Sequence, residues 1–174
     1  MMSMIRVFVY GTLKTGEPNY HYMVDAANGV ARFVGKARTV DRWPLVVASK
    51  YNIPFLLDLR GQGERVEGEI YDVDQKMADF LDDFESHPKL YQNTKIVIEQ
   101  LTNEEDHDLG DGKVTHQCSA YLLKNFKPHM AELPCLSNYS SHGVAGVNAY
   151  MERYLRDPQE GLDFVIGEAR YREN

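Results

Sequence analysis

The chain has 174 residues, 43% hydrophobic and 26% charged, enough apolar material for one core and free of the bias that marks disorder, collagen or a disulfide scaffold. A formal net charge of −7 leaves no cationic footprint for a phosphate backbone or an anionic lipid surface, so neither nucleic acid nor a membrane is an expected partner. Its two cysteines, Cys118 and Cys135, lack CxxC spacing, which disfavours a metal cluster or disulfide framework and suits a reducing, cytoplasmic compartment.

Ile5 to Tyr10 is a β-rich run that stops at Gly11, the pattern of a strand entering a tight loop. The apolar part of this N-terminal stretch is too short for the core of a secretory signal, and no later segment approaches the length of a membrane span. Val30 to Val40, Pro44 to Ala48, Phe55 to Leu59 and Val66 to Val73 are short β-branched or aromatic stretches punctuated by Gly, Pro and Asn, and predict successive strands. At Asp74, a plausible N-cap, the period changes. Met77, Phe80, Leu81 and Phe84 recur at helical spacing, and Pro88 ends that helix by about Glu85.

Lys95 to Leu101 and Val114 to Leu123 predict two long strands joined by the polar, acidic stretch 102–113, as in a hairpin. Asp106, Asp108, Asp111 and Gly112 superficially fit a calcium loop, but Gly110, Asp111 and Gln117 stand at positions five, six and twelve, so a solvated turn is expected. The Asn138-Tyr139-Ser140 sequon matters only in a secreted chain. After Pro134 the composition is loop-like. Val144, Val147, Met151, Tyr154 and Leu155 then predict a second amphipathic helix, stopped by Pro158. No internal repeat is present. The expected fold is a single α+β domain, residues 1–174, whose mixed or antiparallel sheet closes into a small barrel with flanking helices.

Two segments are candidates for chemistry. In Tyr10-Gly11-Thr12-Leu13 a strand end turns through glycine, so successive N–H groups can point outward and cradle a carboxylate. In Phe80-Leu81-Asp82-Asp83-Phe84-Glu85 three carboxylates crowd a helix C-terminus, where mutual repulsion and the macrodipole raise the basicity of a buried member. The chain has no GxSxG, HExxH or Walker loop, so the usual motifs of serine hydrolase, zinc peptidase and P-loop chemistry are missing.

Taken together, Val7 to Lys14 and Phe80 to Glu85 resemble the opening strand, substrate loop and catalytic helix end of the γ-glutamyl cyclotransferase superfamily, most closely its γ-glutamylamine cyclotransferase branch. Asn52-Ile53-Pro54, Val66-Glu67-Gly68-Glu69-Ile70-Tyr71, Leu90-Tyr91-Gln92 and Gln117-Cys118 agree with it, and the likeness spans about residues 5 to 140. The C-terminal segment from about 141 diverges, although Arg170 to Asn174 is again similar to the family ending. The resemblance implies a cofactor-free, metal-free conversion of a γ-glutamylamine such as ε-(γ-glutamyl)lysine, the isopeptide left from degraded transglutaminase cross-links, to 5-oxoproline and free amine. It assigns general acid/base work to Glu85, α-carboxylate binding to the backbone of Tyr10, Gly11, Thr12 and Leu13, and a pocket-lining role to Tyr91 and Tyr121. His87 is read as a helix-end surface residue. The alternatives are a γ-glutamyl-amino acid or glutathione cyclotransferase, or a non-catalytic binding module on the same fold. Oligomeric state is left open.

Overall fold

The computed structural model describes residues 3–143, 149–152, 155–156 and 162–169. In chain order the elements are β1 (Ile5–Val9), α1 (Tyr20–Val24), β2 (Ala31–Trp43), β3 (Leu45–Ala48), β4 (Ile53–Leu56), β5 (Glu64–Val73), α2 (Gln75–Phe84), β6 (Gln92–Gln100), β7 (Val114–Leu122) and α3 (Leu162–Ala169).

Five strands close a barrel in the order β1-β5-β2-β6-β7, and β3 and β4 form a separate two-stranded sheet. All barrel pairings are antiparallel except the closing one, where Val7 of β1 meets Ser119 of β7 in parallel. The expected mixed sheet, barrel closure and α+β class are all observed.

Strand alternation sorts each strand's side chains onto two faces. One face forms an apolar cluster of Phe8, Tyr10, Val66, Ile70, Ile96, Ile98, Cys118 and Ala120. The other carries Val7, Val9, Tyr71, Val73 and Tyr121 and packs under Met77 and Leu81 of α2. Gly68 admits the ring of Phe8, because a Cβ there would stand 2.6 Å from it and 2.3 Å from the Val9 carbonyl.

α2 matches expectation closely. The Asp74 side chain accepts from Met77 N at 2.9 Å, capping the first turn, and also from Val30 N at 3.0 Å. Glu85 is the C-cap residue, its amide donating to Leu81 O at 2.9 Å. The stretch 102–113 joins β6 to β7, which pair as a hairpin from Gln100↔Val114 onward. Its acidic groups serve the turn: Asp106 pairs with Lys36 at 3.0 Å, and Asp108 Oδ1 accepts from Gly110 N at 2.6 Å.

Several expectations shift. β2 continues through Trp43, because Arg42 and Trp43 regain pairing with β5 after an irregularity beyond Arg38. β4 spans Ile53–Leu56, earlier than the Phe55 to Leu59 run, since its antiparallel partner β3 begins at Leu45, opposite Leu56. β6 begins at Gln92 because β7 reaches far enough to pair Leu122 with it. α1, too short to carry a periodic signal, was not foreseen. Of the helix predicted around Val144 to Leu155, Val144, Val147 and Tyr154 lie outside the described residues, and Met151 and Leu155 are not α-helical. The helix beyond Pro158 is α3. Among the described residues no helix is long and apolar enough to cross a membrane.

Candidate active site

At the C-terminal end of β1 the chain leaves the barrel through Tyr10, and the tyrosine anchors that exit. Its ring is 7% exposed and its hydroxyl donates to the Tyr121 carbonyl at 2.6 Å. The following turn closes when Lys14 N donates to Gly11 O at 3.2 Å, and Thr15 N donates to the buried Glu69 carboxylate at 2.7 Å. Between those bonds, the amides of Gly11, Thr12 and Leu13 have no acceptor among the described residues. Three successive unspent donors in a tight turn are suited to an anion. Gly11 lies against Pro54, whose Cγ would be 2.9 Å from an added Cβ, so the turn sits flush on the start of β4.

The loop is held on every side. The Thr12 carbonyl accepts from Asn19 N at 2.9 Å and its Oγ1 from Asn19 Nδ2 at 2.9 Å. Leu13 is buried in the outer core. Lys14 is 8% exposed, with Nζ donating to Asn138 Oδ1 at 2.7 Å and Tyr139 O at 2.8 Å. Burial draws the Lys14 pKa down, against the fields of Glu17, Glu69 and Glu67.

Glu85 is half-buried at the end of α2. Burial first, then the negative field of Glu85, pushes the Tyr10 hydroxyl well above its ordinary pKa. Tyr121 is raised by burial, by its 2.6 Å bond to Asp82 Oδ1, by the Asp82 charge and by Glu85. The Asp82–Tyr121 bond and the Tyr10–Tyr121 bond tie the last turn of α2 to the strand end that Tyr10 leaves. Asp82, one helical turn before Glu85, is fixed by Tyr121 and by Asn93 Nδ2 at 3.2 Å. A half-buried glutamate can move a proton on a ligand whose carboxylate is held by backbone amides within its reach.

Tyr91 is buried, stacks on Phe55 with ring centroids 5.5 Å apart, and donates to Pro54 O at 2.7 Å, so it shores up the wall against which Gly11 rests. His87 Nδ1 accepts from Asn93 N at 3.0 Å and helps start β6. Lys14, Asn19 and Glu69 were not foreseen as site residues. Glu69 stood inside a strand singled out by pattern and Lys14 inside a segment singled out by resemblance, but nothing local distinguishes a buried polar residue from a solvated one.

The sequence profile of the family described as "Gamma-glutamyl cyclotransferase, AIG2-like" matches residues 7–141. A mouse protein named gamma-glutamylaminecyclotransferase is 45% identical over 83% of this chain and 95% of its own length. Its human namesake is 45% identical over the same shares. A zebrafish gamma-glutamylaminecyclotransferase B is 44% identical over 91% of this chain and 81% of its own length. The crystal structure of a mouse AIG2-like protein superposes with a TM-score of 0.79 at 42% identity, covering 88% of this chain and 99% of that one.

Proposed function

The chain belongs to the gamma-glutamyl cyclotransferase, AIG2-like family, and from that premise we propose that it cyclises γ-glutamylamines such as ε-(γ-glutamyl)lysine, with Glu85 as the acid/base. The observation that supports this reading is the hydrogen-bond path that ties the last turn of α2, where Glu85 stands, through Asp82 and Tyr121 to Tyr10, the residue that opens the Gly11 to Leu13 loop.

The substrate's own α-amino group is the nucleophile, so the protein has to position and to move protons. The Gly11, Thr12 and Leu13 amides hold the α-carboxylate, folding the γ-glutamyl chain so that nitrogen meets the γ-carbonyl. Glu85 takes a proton from the α-ammonium. The nitrogen adds to the γ-carbonyl carbon and gives up a second proton, the amide C–N bond breaks, and both protons end on the departing amine, the first returned by Glu85, so that it leaves as an ammonium. The products are 5-oxoproline and free amine, with no net proton or electron change. Tyr10 contributes its backbone to the loop, and Tyr121 with Asp82 fixes the last turn of α2.

A cytoplasmic setting is part of the proposal and is supported by two free cysteines, of which buried Cys118 has its thiol pushed up to about 12, chiefly by burial. So is a single domain over 1–174, since Met151 N and Lys127 N join the C-terminal residues to the rest through Tyr51 O and Ala169 O at 2.9 and 2.8 Å.

The test is 5-oxoproline release from ε-(γ-glutamyl)lysine by the purified protein and by Glu85→Gln. Removing an acid/base group costs on the order of 10²–10⁴ in rate, while the unfolding midpoint stays put because the amide keeps the shape. Turnover of γ-glutamyl dipeptides alone would reassign the leaving group; wild-type rates in Glu85→Gln would remove the glutamate from the mechanism.

A further inference from the structure

The family match ends at residue 141, yet the chain beyond it returns to the site. Ser141 N donates to Glu17 Oε2 at 3.0 Å, and Tyr150 N donates to Ser141 O at 2.8 Å. The described residues 149–152 then lie along the turn that precedes β4: Asn52 Nδ2 donates to Ala149 O at 2.8 Å and Met151 N to Tyr51 O at 2.9 Å. Two residues after Asn52 comes Pro54, the ring against which Gly11 rests.

The decisive contact is on the other flank of the loop. Asn19, 5% exposed, spends its side-chain N–H groups on two hydroxyls, Thr12 Oγ1 at 2.9 Å and the Tyr150 hydroxyl at 3.2 Å. One buried amide therefore ties the substrate loop to the C-terminal segment. The tyrosine is itself held, because the Arg156 guanidinium lies 5.1 Å from the Tyr150 ring centroid and 4.8 Å from that of Tyr51, and Arg156 Nε donates to Met151 O at 3.0 Å. The chain of contact runs Arg156, Tyr150, Asn19, Thr12.

We propose that Tyr150, held by Arg156, is a positioning residue for the substrate loop, so that a segment outside the family match sets the affinity for the γ-glutamyl α-carboxylate. The inference rests on the loop being the carboxylate site. It follows from the register that an anion needs: three amides must converge, and Thr12, the middle one, is fixed on its side-chain side through Asn19. Loosening that support lets the amides diverge, which weakens binding and leaves the proton transfers of Glu85 untouched.

Tyr150→Phe removes the hydroxyl and keeps the ring. For it we expect KM for ε-(γ-glutamyl)lysine, and the Kd of 5-oxoproline measured by calorimetry, to rise together by roughly 5–10-fold, the size of one hydrogen bond, with kcat and the unfolding midpoint held. Arg156→Met, which frees the ring, should raise both in the same direction, and Arg156→Lys should restore part of the loss. Thr12→Val and Tyr150→Phe should combine with less than additive effect, since they act through one asparagine. Unchanged KM and Kd in Tyr150→Phe, or a lower midpoint with kcat reduced and KM intact, would overturn the proposal. If wild-type protein binds 5-oxoproline but turns over no γ-glutamylamine, the activity reading fails while the Kd comparison still decides the role of Tyr150.

Discussion

The two ends of the barrel treat their polar groups differently. At the end where β1 begins, Arg6 Nε and Nη2 grip both oxygens of Asp72 at 2.8 and 2.9 Å, and Arg32 adds a third bond at 3.1 Å. Arg6 Nη1 meets His116 Nδ1 at 2.9 Å, and His116 Nε2 meets Gln100 Oε1 at 2.8 Å. Because the guanidinium can only donate, Nδ1 accepts and the imidazole proton sits on Nε2, donating to Gln100. Every member has a complement. At the end where β1 finishes, Asp82, bonded to Tyr121 and Asn93, stands one helical turn before Glu85, and three successive amides have no acceptor among the described residues. The first network is closed and stabilises; under the proposed function a ligand carboxylate would complete the amides at the second end, the pattern expected when local satisfaction is given up for function.

The sharpest way to break this contrast is a pair of isosteric changes, one at each end. Glu85→Gln should abolish turnover with the unfolding midpoint unchanged. Asp72→Asn should do the reverse, lowering stability by about 2 kcal/mol as Arg6 loses its bidentate partner, with kcat/KM preserved; urea unfolding and 5-oxoproline release measure both. A large activity loss in Asp72→Asn would mean that the ends are coupled.

Gly11→Ala is the next largest effect. The added Cβ would stand 2.9 Å from the Pro54 ring, so the turn must lift from β4, and we expect KM to rise by roughly tenfold, the scale of about 1.4 kcal/mol, with a smaller change in kcat.

The smallest effect is a pH dependence at the closed end. Burial, then the Arg6 charge, lowers the His116 pKa from its ordinary 6.5, with Asp72 opposing. The folded state therefore prefers the neutral ring, and the unfolded chain binds the extra proton. Stability from this residue is fully present above 6.5 and is lost as pH falls through that value toward the lower folded pKa. Asp72, held below its usual range chiefly by its bonds to Arg6, adds a second loss at more acid pH. Unfolding free energies across the mildly acid range should fall in the wild type and flatten in His116→Gln; identical slopes would remove His116 as the source.

Much of this was legible in the residues themselves. The 3.6-residue period from Met77 to Phe84, the cap at Asp74 and the stop near Pro88 placed Glu85 at a helix end, and the Tyr10-Gly11 break placed a loop at a strand end. Each of those signals lies within a few residues of what it specifies, because capping and amphipathic spacing are interactions of near neighbours. What only the tertiary structure decided is which of these parts meet. Barrel closure brings β7 beside β1, so that Tyr121 can hold Tyr10 and, through Asp82, the last turn of α2, and Asn19 reaches Tyr150 across 131 residues of sequence. No periodicity encodes such a contact: a hydrogen bond between distant residues exists only once the intervening chain has folded, and the same asparagine or tyrosine on an open surface would look identical in the sequence.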